Sequence, residues 1–367
     1  MYIENMKALN RLANQVYAAN SVGQIASFPE MLTVAVSNVC NYRCIMCAEW
    51  RKPKNQDLSP ALIEKLEDAL PFISTLYLTG GEPLIYPHLD QLLDAGARAG
   101  CNLQMVTNGA LLTPKRLEKL FKHGMDKIKF SLDAVRPATY KKIRGGDLNA
   151  VLQNMKNLVE VKRALGVDHP FVEIGFVAMR SNIAELSKFV VMARKLGVDS
   201  IYVAYMAVHH PDVYEESLYH DQERSDELML TAAQVAKEVG MPLTLPPLFR
   251  QDEKAEGLGN FRTGRGLCHE PWHSMFLWPD GNVSMCCGGG EPCGNLAEHT
   301  FPEMWNHPAR VKARTRVNTP NPPKACARCF TKRQNPNRLE THFTDPTQQK
   351  RAREERRAEA EPVAEAC

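Results

Sequence analysis

Residues 31–47 read MLTVAVSNVCNYRCIMC: an apolar, β-branched run, MLTVAVS (31–37), that leads directly into three cysteines, Cys40, Cys44 and Cys47. The first half has the residue types that suit a buried strand, and the second sets three thiols into eight loop positions. If the run opens a parallel sheet, the loop lies at the strand's carboxyl end, where barrels and open α/β sheets place their chemistry.

Five further runs of the same kind follow: TLYLTG (75–80), NLQMVTN (102–108), KIKFSLD (127–133), FVEIGFVAM (171–179) and SIYVAYMAV (200–208). The segments between them, such as TPKRLEKLFKHG, LNAVLQNMKNLVEVKRALG and NIAELSKFVVMARKLG, carry apolar residues three and four apart and end near glycine. Each reads as a crossover helix. The pattern predicts an α/β fold, a partial (β/α)6 TIM-like barrel over 31–250, preceded by an N-terminal helical segment over 1–30. From about residue 241 proline and glycine accumulate, which puts a boundary near 250 and a smaller, cysteine-rich α+β extension over 251–335. The end, 336–367, alternates charges without apolar periodicity and is expected to be a solvated helix or a disordered tail.

The chain has 367 residues, 44% apolar and 24% charged, which is a globular composition. No apolar run approaches the ~20 residues of a membrane span. The N-terminus is amphipathic rather than shaped like a secretion signal, so a cytoplasmic location is expected. Forty-five basic against 42 acidic residues leave a charge of +3, too small to argue for nucleic acid or a membrane surface. Eleven cysteines in a reducing compartment point to metal ligation rather than disulfides. Beyond the first three they gather as Cys268, Cys286, Cys287, Cys293, Cys326 and Cys329, with Cys101 and Cys367 apart.

Three thiolates suffice to hold three irons of a [4Fe–4S] cluster and leave the fourth iron open. A structural zinc would want a fourth protein ligand, and none lies close in the stretch. After the second strand comes Leu78-Thr79-Gly80-Gly81-Glu82-Pro83, where Gly80 and Gly81 permit close backbone approach and Glu82 can accept hydrogen bonds from an amine. Ser131-Leu132-Asp133 ends the fourth strand.

In these features the sequence resembles the radical S-adenosylmethionine (radical SAM) superfamily, whose signature is C-x3-C-x2-C in this loop. The resemblance implies that the open iron binds the amine and carboxylate of SAM, and that reductive cleavage gives a 5′-deoxyadenosyl radical that takes hydrogen from a substrate. It also implies SAM contacts at Gly80, Gly81, Glu82 and Ser131, with Asp133 and Asn108 as ligand contacts or loop caps. Tyr42 resembles the aromatic beside the adenine. Arg180 and Arg144 match positions facing the active site, or else serve surface ion pairs.

In the C-terminal part, Cys268, Cys286 and the pair Cys326-x2-Cys329 can enclose either a [4Fe–4S] cluster or a structural zinc, and chemistry alone does not choose. Asp280-Gly281 is a turn signal that brings Cys286 in on a hairpin. Gly281-x4-Cys286 resembles the SPASM/twitch extensions of radical SAM enzymes, and the absence of a longer cysteine run favours the shorter form with one auxiliary cluster. That cluster, fully ligated by Cys268, Cys286, Cys326 and Cys329, would suit electron transfer. Cys287 and Cys293 read as packing residues, alternative ligands or hydrogen donors, and Cys101 as packing. His209, His210 and His220 fall in a polar loop expected over the substrate, and Trp272 and His273 line either the cavity or the core.

The resemblance implies an oxidoreductase-type enzyme fed by a low-potential donor such as flavodoxin or ferredoxin. About 30 residues precede the first strand, too few for the peptide-recognition domain of many relatives, so a small polar metabolite such as a sugar or aminocyclitol is the favoured substrate. The alternatives are a maturase of a ribosomally made peptide, an iron–sulfur electron carrier without turnover, and use of SAM as a methyl donor.

Overall fold

Along Thr75–Gly80, Leu76 and Leu78 are fully buried, whereas Thr75, Tyr77 and Thr79 are half-buried. The same alternation runs through Asn102–Thr107 and Lys127–Ser131. Successive side chains of a strand point to opposite faces, so one apolar face packs under helices while a second, more polar face turns inward. The computed structural model describes residues 2–49, 56–250, 260–261, 267–287, 292–327, 329 and 336–360.

The strands are β1 (Met31–Ser37), β2 (Thr75–Gly80), β3 (Asn102–Thr107), β4 (Lys127–Ser131), β5 (Phe171–Ala178), β6 (Ser200–Tyr205), β7 (Leu243–Leu245), β8 (Asn260–Phe261), β9 (Ser274–Leu277) and β10 (Val283–Ser284). They form one sheet in the order β10-β9-β1-β2-β3-β4-β5-β6-β7-β8, antiparallel only between β9 and β10. The sheet stays open, as a partial barrel does, with β8 and β10 at its edges.

The helices are α1 (Tyr2–Ala19), α2 (Pro60–Leu66), α3 (Leu89–Arg98), α4 (Pro114–Lys122), α5 (Pro137–Arg144), α6 (Leu148–Leu165), α7 (Leu186–Leu196) and α8 (Gln222–Val239). Then come α9 (Glu270–His273), α10 (Phe301–Trp305), α11 (Pro308–Arg316), α12 (Lys324–Ala327), α13 (Leu339–His342) and α14 (Pro346–Ala360). Local chemistry sets their ends: α4 starts where the Thr113 hydroxyl accepts the Arg116 amide, and α6 starts at Asp147 and stops at Gly166 in the left-handed region. No helix among the described residues is long and apolar enough to cross a membrane.

Two features bear on the expected domain layout. The boundary near residue 250 is not a break in the sheet, because β9 from the cysteine-rich extension pairs in parallel with β1 from Met31↔Ser274 to Val34↔Leu277. The charged tail is folded as far as residue 360, in α13 and α14. His342 and Phe343 are fully buried, and Phe343 stacks on Tyr214 with centroids 4.9 Å apart. The alternating charges of α14 lie over aromatic rings, Arg351 4.0 Å from the Tyr214 ring and Arg356 4.5 Å from that of Tyr219.

Candidate functional site

The loop after β1 is pinned from two sides. Gly81 donates its amide to Ser37 O (2.6 Å) and Glu82 to Val39 O (2.9 Å), which seats the end of β2 against the run into Cys40. A Cβ on Gly80 would stand 2.2 Å from Ser37 O and one on Gly81 2.1 Å from Val39 O, so both positions admit only glycine. The backbone they let approach is the cysteine loop itself, a use additional to the ligand approach expected of them.

Glu82 is 1% exposed. Its carboxylate accepts the Thr107 hydroxyl (2.6 Å), the Asn108 amide (2.8 Å) and the Leu84 amide (3.1 Å). Burial raises its pKa, and those three donors oppose the rise. The carboxylate thus ties β2 to β3, with at most one lone-pair direction left for an amine. Asn108 continues the chain of contacts, its Nδ2 lying 2.8 Å from Asn41 Oδ1 inside the cysteine loop and 4.0 Å from Cys40 Sγ.

On the other side of the loop Cys44 is buried and faces Arg144, whose Nη1 lies 3.6 Å from its sulfur. Burial pushes the Cys44 thiol up to about 11, against the pull of the guanidinium. Arg144 is in turn paired with Asp133, Nε to Oδ2 at 2.7 Å and Nη2 to Oδ2 at 2.5 Å. Burial works against the guanidinium's charge, but Asp133 together with Cys44 and Tyr140 raises its pKa on balance, so the arginine stays protonated. Asp133 is fully buried in the left-handed region (φ 65°), accepts the Val177 amide (2.7 Å) and has its carbonyl held by Asn182 Nδ2 (3.0 Å). The carboxylate expected either to touch SAM or to cap a loop is here paired with Arg144 and bonded to the Val177 amide.

Tyr42 is buried edge-on against Tyr140, with centroids 6.4 Å apart, and its ring lies on Gly146, where a Cβ would stand 2.1 Å from the phenol carbon. Ser131 ends β4 half-buried on the inward face, level with Gly175. Arg180 is exposed, its Nη1 donates to Glu215 O (3.3 Å) and its amide to Glu216 O (2.9 Å), which is nearer the surface role weighed for it than the active-site one. The ties through Arg144, Tyr140 and Gly146 had a sequence signal only in IRGGD (143–147), where an arginine and two glycines adjoin.

Cys40, Cys44 and Cys47 stand within one another's electrostatic reach, and Glu82 adds to the field at Cys40. Among the described residues no three His, Cys, Asp or Glu side chains are placed to share a single ion. A cubane asks for something else, one thiolate on each of three irons, and three soft donors on one loop fit it. Burial holds the Cys40 and Cys44 thiols up, so loading iron must release protons.

The second set converges likewise. Cys268 lies in the field of Cys326 and Cys329, and burial raises its thiol to about 11. Asn318 brackets Cys268, accepting its amide (2.8 Å) and donating to its carbonyl (3.1 Å). Cys286 follows the β9–β10 hairpin beside Arg310. Cys293 is fully buried there as well. Cys287 is exposed and faces Tyr77 of β2. Cys101 is buried, its thiol 3.7 Å from Lys7 Nζ, and Cys367 lies outside the described residues. Trp272 is a core residue, its Nε1 donating to Val22 O (2.8 Å). His209, His210 and His220 go to Thr344, Asp212 and the Tyr214 ring respectively.

The sequence profile of the Radical SAM superfamily matches residues 34–168, and that of SPASM, an iron–sulfur cluster-binding domain, matches 268–330. The AdoMet-dependent heme synthase of Methanosarcina barkeri is 25% identical over 308 residues, 76% of this chain and 82% of that protein. A probable GTP 3′,8-cyclase of Saccharolobus islandicus is 32% identical over 180 residues, 47% of this chain and 56% of the relative, so the chain spans little more than half of it. In three dimensions Streptococcus suis SuiB, solved with S-adenosylmethionine bound, overlays on 79% of this chain and 67% of its own with a TM-score of 0.59 at 18% identity, which is a likeness of fold. With both domains present in order and the two thiol sets where they require them, the chain is a member of the radical SAM superfamily with a C-terminal SPASM domain, and its cofactors are SAM, the [4Fe–4S] cluster that SAM binds and an auxiliary iron–sulfur cluster.

Proposed function

We propose that this enzyme carries out an oxidoreductase-type radical reaction on a small polar metabolite held inside the partial barrel, with a low-potential donor such as flavodoxin or ferredoxin feeding the first cluster. The observation that carries the reading is the chemistry of the inward strand face. Thr33, Tyr77 and Gln104 share it by register, and so do Lys127, Lys129 and Glu173. Glu173 pairs with both lysines, at 3.1 Å to Lys127 and 3.3 Å to Lys129, and Lys129 Nζ lies 3.7 Å from the centre of the Tyr202 ring. Tyr77 feels Glu173 and Tyr202 across the lumen. An apolar lumen would only pack, whereas this one offers hydrogen bonds and charge one layer below the cysteine loop. Among the described residues this layer sets two ammoniums beside the one carboxylate of Glu173. That favours a substrate with an acidic group, such as a carboxylated or phosphorylated sugar, over a free aminocyclitol.

When bound, SAM and the catalytic cluster supply the radical that removes a hydrogen atom, and the auxiliary cluster supplies an electron acceptor. The chain's part is placement: Glu82 and Asn108 fix the rim of β2 and β3 against the cysteine loop, and Arg144 fixes its far side. Lys129, Tyr202 and Tyr77 orient the substrate beneath.

The test uses reconstituted enzyme, SAM, a strong reductant and an extract of cells grown in heavy water. Deuterium should appear in 5′-deoxyadenosine, and it should persist when the extract is ultrafiltered and treated with protease. Deuterium transfer confined to the protease-sensitive fraction would overturn the metabolite reading in favour of a peptide maturase. No 5′-deoxyadenosine under any condition would favour an electron carrier.

A further inference from the structure

Helix α11 turns two arginines, Arg310 and Arg314, inward on one face, 0% and 1% exposed. Both lie over the indole of Trp305, each guanidinium carbon 4.5 Å from a ring centre. Arg310 donates through Nη1 to Pro271 O (3.3 Å) and Ser274 O (3.0 Å), and through Nη2 to Ser284 O (3.2 Å) and Met285 O (3.3 Å). Arg314 donates to Pro271 O (3.0 Å), Gly23 O (2.9 Å) and Asn306 Oδ1 (3.2 Å). Every acceptor is neutral. Among the described residues Arg310 Nε, Arg314 Nη2 and Trp305 Nε1 are buried with no nitrogen or oxygen acceptor, and the Cys293 thiol adjoins Arg310.

Burying one guanidinium without an anion is expensive, and two within a helical turn also repel. Burial pulls Arg310 down to about 10; the groups that resist are the thiols of Cys293 and Cys286, and more weakly Glu270. Burial and Arg310 together pull Arg314 down to about 9, with Cys293 again opposing. The carbonyls that hold Arg310 follow Cys268 by three residues and directly precede Cys286. This cation pair is therefore built into the wall of the auxiliary site, and among the described residues no carboxylate forms an ion pair with it, Glu270 acting on Arg310 only weakly.

We propose that Arg310, backed by Arg314, is the counter-charge of the auxiliary iron–sulfur cluster: it ties together the segments that carry Cys268 and Cys286 and raises the cluster's reduction potential. The inference rests on an iron–sulfur cluster occupying this unit. Thiolate-ligated clusters gain negative charge on reduction, and a fixed cation in a low-dielectric wall stabilises the reduced form more than the oxidised one. Arg310 is a positioning residue in this sense. An arginine that merely stapled carbonyls would leave the potential where it is.

The measurement is an EPR-monitored reductive titration of the full-length, reconstituted enzyme, with and without SAM, for wild type, Arg310→Gln, Arg310→Lys and Arg314→Gln. SAM perturbs the cluster with the open iron, which assigns the two midpoints separately. Arg310→Gln should lower the auxiliary midpoint and leave the catalytic one in place; Arg310→Lys should return it towards wild type, and Arg314→Gln should lower it by less. If Arg310→Gln fails to load the second cluster while Arg310→Lys loads it, the requirement for a cation stands. A wild-type auxiliary midpoint in either glutamine variant carrying about eight irons per chain overturns the proposal. So does failure of the lysine and glutamine variants alike to load the cluster. Wild-type enzyme with only about four irons would instead refute the two-cluster reading, and iron analysis reports that before any variant is made.

Discussion

The Asp133–Arg144 pair gives the sharpest test of the site's geometry. Asp133 is fully buried and Arg144 nearly so, and among the described residues the carboxylate has only one other donor, the Val177 amide at 2.7 Å. Arg144→Met removes two charge-assisted hydrogen bonds and leaves a carboxylate in the protein interior, which costs about 3–5 kcal/mol. Asp133→Asn is the matching change from the other side. Asparagine tolerates the left-handed backbone at φ 65°, so the loss is of charge and not of backbone conformation. It strands a buried guanidinium at a similar cost of about 3–5 kcal/mol. The double variant has no unpaired buried charge, so it should be less destabilised than the sum of the two by about 2–3 kcal/mol. Urea unfolding of the metal-free chain, followed by circular dichroism, reads the cycle without interference from iron loss. Additive single effects, or single losses under about 1 kcal/mol, would refute the pairing as the support of this wall.

Gly81→Ala should cripple the first cluster, because its Cβ would start 2.1 Å from Val39 O and must clear to at least 3.0 Å. That movement breaks the two backbone hydrogen bonds from Gly81 and Glu82, and iron content should fall by about four per chain while the SPASM cluster persists; normal iron loading would count against the seat described here. Cys326→Ala with Cys329→Ala should leave 5′-deoxyadenosine formation and abolish product formation, and unchanged turnover would argue against an auxiliary redox role. Deleting residues 347–367 removes the Tyr214–Glu355 hydrogen bond (2.9 Å) and two arginine–aromatic contacts, and should cost roughly 2 kcal/mol in unfolding free energy. A truncation as stable as the full chain would show that α14 is only draped over the surface.

Much of this was legible in the sequence because strands and cysteine spacings are local signals. The six runs that begin at residues 31, 75, 102, 127, 171 and 200 form strands beginning there, since period-two burial leaves its mark on neighbouring residues. The two thiol sets stand out by spacing alone. What was not legible depends on partners far along the chain. Glu82 finds two of its three donors at Thr107 and Asn108, 25 and 26 residues on, and the local Leu84 amide alone does not announce that its carboxylate is largely occupied. The tail misleads for the same reason. Its buried apolar residues Phe343 and Ala352 stand apart among polar and charged ones, and the rings that Phe343 packs on lie at Tyr214 and Tyr219. With Tyr214 and Glu355 141 positions apart, no periodicity within the tail could show that one side of it is covered.

Helix α11 takes that argument one step further. PARVKARTR has the composition of a solvated surface helix, with four cations, no acid and no apolar stripe. Yet Arg310 and Arg314 are among the largest fully buried side chains of the chain, against a tryptophan rather than an acid. For Asp133 the partner is another residue, so the pair is at least present in the sequence. For Arg310 the stronger opposing groups among the described residues are the thiols of Cys293 and Cys286, ahead of the Glu270 carboxylate, and a thiol carries charge when a metal holds it deprotonated. A buried cation whose counter-charge arrives with the cofactor leaves no matching anion to find in the sequence, and the metal-free fold bears its cost. On this reasoning the SPASM unit should be the part of the chain most stabilised by iron. Hydrogen exchange should slow on reconstitution over 270–274 and 308–316, and equal protection in the metal-free and reconstituted enzyme would mean that Arg310 and Arg314 are compensated without the cluster.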